Sequence, residues 1–147
     1  MDPLRAKRHS SQGVVCLATL RRDGFASIDA GPVEGILTTR AFVWPDAKLL
    51  VNVNAGAAAG ITEWNQEAGH ARLEVLDQNG AVMPGLSRDE CKPFGYPLGD
   101  VSETSGSLMG HEFQWTSGKD LSGLVGEQIK LRFCLVNAEL YSFRAIP

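Results

Sequence analysis

The 147-residue chain contains no apolar run of the ~18 residues at which a helix becomes long enough to cross a bilayer, so no membrane-spanning helix is expected. Cysteine is scarce. Cys16, Cys91 and Cys134 are odd in number and far apart, so they imply no disulfide framework, and no Cys-x-x-Cys or His-x-x-x-His pair announces zinc. Neither sign of charge dominates: 14 Lys and Arg stand against 17 Asp and Glu, and the net charge of −3 gives no reason to expect nucleic acid or an anionic membrane as partner. Phosphate-cradling glycine loops are absent. So is a Gly-x-Ser-x-Gly elbow, since Gly85-Leu86-Ser87-Arg88 lacks the closing glycine. There is no Asn-x-Ser/Thr acceptor. The apolar run at 14–20 is short, meets Arg21-Arg22 and lacks a cleavage site, so it reads as a strand and not as a secretory signal, and the compartment stays open.

What the chain does have is turn chemistry between short apolar runs. Sixteen glycines and seven prolines fall between stretches that alternate with period two. The clearest is near the C-terminus, where Ile129, Leu131, Phe133 and Leu135 alternate with Lys130, Arg132 and Cys134. After Asn137-Ala138-Glu139, the stretch Leu140-Tyr141-Ser142-Phe143 resumes, as two strands of a hairpin would. Further strands are expected at 14–20, 25–28, 35–44, 48–54, 70–77 and 108–115, with Asp23-Gly24 and Asn79-Gly80 as hairpin turns. Ser87-Arg88-Asp89-Glu90 matches a capping box and predicts one helical turn, and 120–124 suits a single 3₁₀ turn. About eight to ten short strands with turn signals every ~8–12 residues predict an all-β fold, an antiparallel two-sheet β-sandwich of jelly-roll type. One domain is expected over 13–147, preceded by a polar, basic arm at 1–12 and interrupted by a loop insertion at 55–69. Phe133 is expected at the centre of the core, with Cys16 and Cys134 as buried thiols and Cys91 as the most reactive of the three.

The chemistry-bearing residues are dispersed. His70, His111 and Cys91 have no spacing that supports a nucleophilic triad. Of the carboxylate pairs a glycosidase could use, Asp89-Glu90 is explained by the capping box, and Asp100 with Glu103 is one of many chance pairs. Asp77, Asn79, Asp100 and Asp120 are turn residues that double as candidate ligands for a structural calcium ion. No catalytic residue and no further metal ligand is assigned. Trp44 and Trp115 close strands and are expected in the core, whereas Trp64 lies in the insertion. There Glu63, Trp64, Asn65 and Gln66 place an aromatic face beside polar groups, the mixture that sugar recognition uses.

The order Leu20-Arg-Arg-Asp-Gly-Phe25, Leu73-Glu-Val-Leu-Asp77-Gln-Asn-Gly80, Pro84-Gly-Leu-Ser87…Cys91, Trp115…Asp120-Leu-Ser-Gly-Leu124, Leu131-Arg-Phe133…Asn137-Ala-Glu-Leu-Tyr-Ser-Phe143 resembles the C-terminal β-sandwich of proteins related to glycoside hydrolase family 32. The resemblance runs over about residues 14 to 145. It implies a non-catalytic accessory module that binds carbohydrate or packs on partner domains, with no catalytic residue to carry over, because in that family the carboxylates belong to a propeller. The segment at 55–68 departs from the pattern as an insertion. Two other classes stay open: a self-assembling structural protein built from the same sandwich, and a small hydrolase whose site follows no known motif. An uncovered docking face would draw copies together, so a homo-oligomer, most simply a symmetric dimer, is expected.

Overall fold

The computed structural model describes Leu17 and residues 25–55, 69–95 and 107–147. Within them the chain forms β1 (Ile28–Ala30), β2 (Gly35–Thr38), β3 (Phe42–Val43), β4 (Lys48–Asn54), β5 (His70–Asp77), β6 (Phe94–Gly95), β7 (Ser107–His111), β8 (Gln128–Val136) and β9 (Ala138–Ile146). One antiparallel sheet has the order β1-β9-β4-β7; the other has β2-β8-β5-β6, with β3 also paired to β8. They pack face to face as the two-sheet sandwich that the alternation predicts. The interior-facing residues of β8, β5 and β4 are all in the core: Ile129, Leu131, Phe133, Ala71, Leu73, Val75, Val51 and Val53 are each fully buried. Burying aliphatic and aromatic side chains of this size contributes about 1.5–3 kcal/mol apiece.

The C-terminal strands correct one expectation. β8 and β9 are not a hairpin: a single residue, Asn137, separates them, and they belong to different sheets. One residue cannot reverse a chain, which takes a loop of at least two. Asn137 instead sits in the left-handed region at φ 43°, which asparagine tolerates better than most residues, and redirects the strand from one sheet into the other. The chain ahead of it does the same thing alongside. β1 lies on β9 with Ala30 opposite Ala138, and β2 lies on β8 with Gly35 opposite Leu135. Between the two crossings the Asn137 N–H donates to the Gly31 carbonyl at 2.8 Å.

The predicted strand at 35–44 is split. Thr38 faces Arg132 and Phe42 faces Ile129, so three residues stand opposite two. Thr39 bridges the gap by donating its N–H to the Leu131 carbonyl and accepting the Leu131 N–H on its hydroxyl. The strand expected at 108–115 pairs with β4 only as far as His111; beyond it Phe113 and Trp115 still turn inward and Glu112 and Gln114 outward. Two local signals are borne out. The Asn79-Gly80 turn folds Val82 back onto Leu76, held by the Asp77 carboxylate accepting the Asn79 and Ala81 N–H groups. The capping box closes a single turn, the Glu90 N–H donating to Ser87 Oγ and the Ser87 hydroxyl to Glu90 at 2.7 Å.

β9 keeps its apolar side inward only because of a bulge. Val53 faces Leu140 and Asn52 faces Ser142, so Tyr141 is the extra residue, and the inward set runs Ala138, Leu140, Phe143, Ala145. On the other flank of β4, Val51 faces His111 and Asn52 faces Met109, which leaves Gly110 extra at φ +95°. Both bulges meet at Asn52, which is buried on the outer face. Phe133 packs across the sandwich against Phe143, ring centroids 5.3 Å apart. Phe133→Ala is therefore expected to cost about 3–5 kcal/mol in urea unfolding, and a loss under ~1 kcal/mol would mean that the ring does not fill the core.

Candidate functional site

The insertion residues Glu63, Trp64, Asn65 and Gln66 lie outside the described residues. The structure does place the two ends from which they spring. Ala55 leaves β4 fully buried, and Gly69 enters β5 so close to the sheet crossing that a Cβ there would lie 2.2 Å from the Asn137 carbonyl oxygen and 2.8 Å from that of Ala55. No side chain fits at Gly69, and the insertion begins and ends over Asn137.

Beside this point, on the outer face of the four-stranded sheet, Asn54 and Glu139 are register partners. Asn54 Nδ2 donates to Glu139 Oε2 at 2.9 Å, and the Tyr141 hydroxyl donates to the same oxygen at 2.6 Å. Strand alternation puts them there: Val53, Ala138 and Leu140 take the inner face, so their neighbours Asn54 and Glu139 point out. The same alternation puts the Tyr141 ring on that face, two residues beyond Glu139. All three side chains are half-buried, next to the buried Asn52. A carboxylate held by two donors, an amide and a phenol ring form a surface that can accept hydroxyl hydrogen bonds and stack on an apolar face. Sequence reasoning recognises that Asn52 and Asn54 turn away from the core but passes over Glu139 and Tyr141. Only the cross-strand register brings them to Asn54.

Several of the described groups with nucleophilic or acid–base potential are engaged structurally. Glu74, 6% exposed, is paired with Arg132 at 2.7 Å on the outer face of the five-stranded sheet. Arg88 pairs with Glu34 nearby. Cys134 is buried among these groups, and burial, reinforced by Glu34, pushes its thiol above the ordinary value despite Arg88 beside it. Burial and then Arg72 lower the His70 pKa. His70 and His111 belong to strands of different sheets.

Cys91 overturns the expectation of a reactive thiol. It is 2% exposed, and burial raises its pKa to about 11. The thiol is held at the edge of β5, where among the described residues no strand lies opposite the Leu73 N–H, which donates instead to Cys91 Sγ at 3.3 Å and by itself lowers the pKa, while the thiol donates to the Lys92 carbonyl. Glu90 is spent on the capping box as expected, and Asp100 and Glu103 lie outside the described residues. Of the candidate calcium ligands, Asp77 and Asp120 serve their own turns, Asp120 accepting the Ser122 N–H and hydroxyl. These bonds hold both carboxyls below the usual range, led by the Ala81 N–H for Asp77 and the Ser122 hydroxyl for Asp120. Among the described residues no group of three or more His, Cys, Asp and Glu is placed to hold a metal ion.

Comparison with known protein families and with curated proteins finds no match for this chain.

The position of Cys91 has a measurable pH consequence. A thiol whose pKa is raised by folding ionises first in the unfolded chain. Its contribution is therefore complete below about pH 9, the ordinary thiol value, and is lost as pH rises towards about 11. Cys91→Ala is expected to be less stable at neutral pH by ~1–3 kcal/mol, having orphaned the Leu73 amide, and to lose less of its remaining stability between pH 9 and 11 than the parent. Parallel declines in the two proteins would contradict this placement of the thiol.

Proposed function

We propose that this sandwich is a non-catalytic accessory module that binds carbohydrate on the outer face of its four-stranded sheet. The observation that carries the reading is the Glu139 carboxylate gripping Asn54 and Tyr141 where the insertion bearing Glu63, Trp64, Asn65 and Gln66 begins and ends. A pyranose presents an apolar face and a rim of hydroxyls. A tyrosine ring, an amide and a carboxylate on a rigid sheet supply a partner for each, already positioned. The resemblance to the family 32-related sandwich supports an accessory role, as does the use of the described thiols and of Glu74 and Glu90 in the fold itself.

Affinity electrophoresis against a panel of polysaccharides tests this. Retardation by at least one polysaccharide is expected, weakened roughly tenfold or more, about 1.4 kcal/mol, by Tyr141→Ala and by Trp64→Ala, with melting temperatures within a few degrees of the parent. Tyr141→Phe should keep the stacking and lose only part of the affinity. Retardation that survives both alanine changes would defeat the assignment of this face, and no retardation by any polysaccharide would defeat the sugar reading.

A second reading, assembly with its own copies or with a partner domain, has its own observation. Phe25, Ile28, Val33 and Ile36, all along the β1–β2 edge, are each more than half exposed. Light scattering at tens of micromolar distinguishes it: a dimer dissociated by Ile36→Arg favours assembly, and a monomer removes it.

A further inference from the structure

Trp115 is 5% exposed, and its indole N–H is buried with no acceptor among the described residues. A buried donor left unmet is costly, so one that is observed asks what meets it. Trp115 also lines a cavity of about 90 Å³ at the end of the sandwich where β4 begins, seven residues along that strand from Asn54. Trp44 has the same unmet N–H but does not line this cavity. Beside Trp115 the wall is apolar and buried, formed by Leu49, Leu73, Phe113 and Leu121. The mouth is polar and exposed, with Lys48, Glu112, Asp120 and Ser122 around it. The backbone holds the wall in place: Trp115 bridges to Cys91, and the Lys92 and Thr116 N–H groups donate to the Gln114 and Glu90 carbonyls at 2.8 Å. The cavity is therefore formed before any ligand arrives.

We propose that this cavity binds the acetamido group of an N-acetylated sugar, the carbonyl oxygen accepting the Trp115 N–H and the methyl lying against Leu49, Leu73 and Leu121. The site shares a class of ligand with the outer face at Tyr141 but no residue, and it does not rest on that face. Size, polarity and charge each narrow the occupant. A cavity that takes a benzene ring holds ~150 Å³, so a whole pyranose stays outside this one while a substituent of the ring enters. A single donor set in an apolar wall matches an acceptor that carries a methyl. At the mouth one cation, Lys48, stands against two carboxylates, Glu112 and Asp120, which disfavours a carboxylate ligand and favours a neutral carbonyl. An acetylated lysine would also have to bury its four-carbon stem, for which the cavity has no room. A sugar ring remains at the mouth instead, where the ammonium, the carboxylates and the Ser122 hydroxyl are partners for its own hydroxyls. Ser122 grips Asp120 through one oxygen only, Oδ1.

Proton–nitrogen correlation spectra of the unmodified protein give the readout, because the Trp115 indole N–H resonance reports directly on its acceptor. Millimolar N-acetylglucosamine is expected to shift that resonance saturably. Glucose, which has a hydroxyl where the acetamido group stands, should bind about tenfold more weakly or not at all. No saturable shift at Trp115 would leave water as the occupant and overturn the proposal. Equal affinity for glucose would overturn it as well, and so would tighter binding of Nε-acetyl-lysine amide, which would assign the cavity to a peptide. Trp115→Phe keeps an aromatic wall and removes the donor. It should weaken the sugar by roughly fivefold or more, followed at the Leu73 amide, and an unchanged affinity would overturn the role given to the N–H. The titration of the parent decides the proposal even where this variant fails to fold. Tyr141→Ala separates the two sites: the Trp115 response should survive it intact, and a response lost with Tyr141 would place the sugar on the outer face and overturn the cavity as a site of its own.

Discussion

The backbone crosses between the sheets twice at one place, and the two crossings are hydrogen-bonded to each other. β1 running into β2 and β8 running into β9 form one bent ribbon, with the Asn137 N–H on the Gly31 carbonyl at the bend. The ribbon fixes how the sheets face one another, because neither can rotate without breaking pairs in the other. The left-handed residue at its corner is what makes the bend affordable in one step. The ends of the insertion, Ala55 and Gly69, pack around this point, and Gly95 at the end of β6 packs as tightly on Gly69. A site beside the corner therefore sits where two closely packed crossings are hydrogen-bonded to each other.

One bulge restores the phase of β9. Glu139 and Tyr141 share the outer face with Asn54 by plain alternation, and because Tyr141 is the extra residue, Phe143 comes back into phase inside. Without it Phe143 would face solvent. The polar outer face and the apolar interior are two sides of the same strand, kept in step by a single residue of slack.

The alternation of 129–135 and 48–54, the Asn79-Gly80 turn, the capping box and the burial of Trp44, Trp115 and Phe133 were legible because each is set by local chemistry: period, turn residues, a cap. The β8–β9 crossing was not, because alternation that stops and resumes looks alike whether the chain reverses or changes sheet; only the length of the interruption, one residue, decides it. The reactivity expected of Cys91 failed for a related reason. Nothing near Cys91 in sequence shows that the Leu73 amide across the turn needs an acceptor. Of the candidate site, half was visible in the outward-facing asparagines of β4, and the rest depended on a register that pairs residues far apart in the chain.

That distance has a consequence for how the molecule comes into being. Ile28 pairs with Leu140 and Leu37 with Phe133, contacts that close loops of about a hundred residues. Such pairings carry a large closure entropy before they return anything, which places the fold among slow, high-contact-order topologies. During synthesis the first half of the ribbon must wait for these partners until β8 and β9 have left the ribosome. The hairpin at 70–82 and the turns at 87–91 and 120–124 can form on the way; the bend that unites the sheets forms only after them.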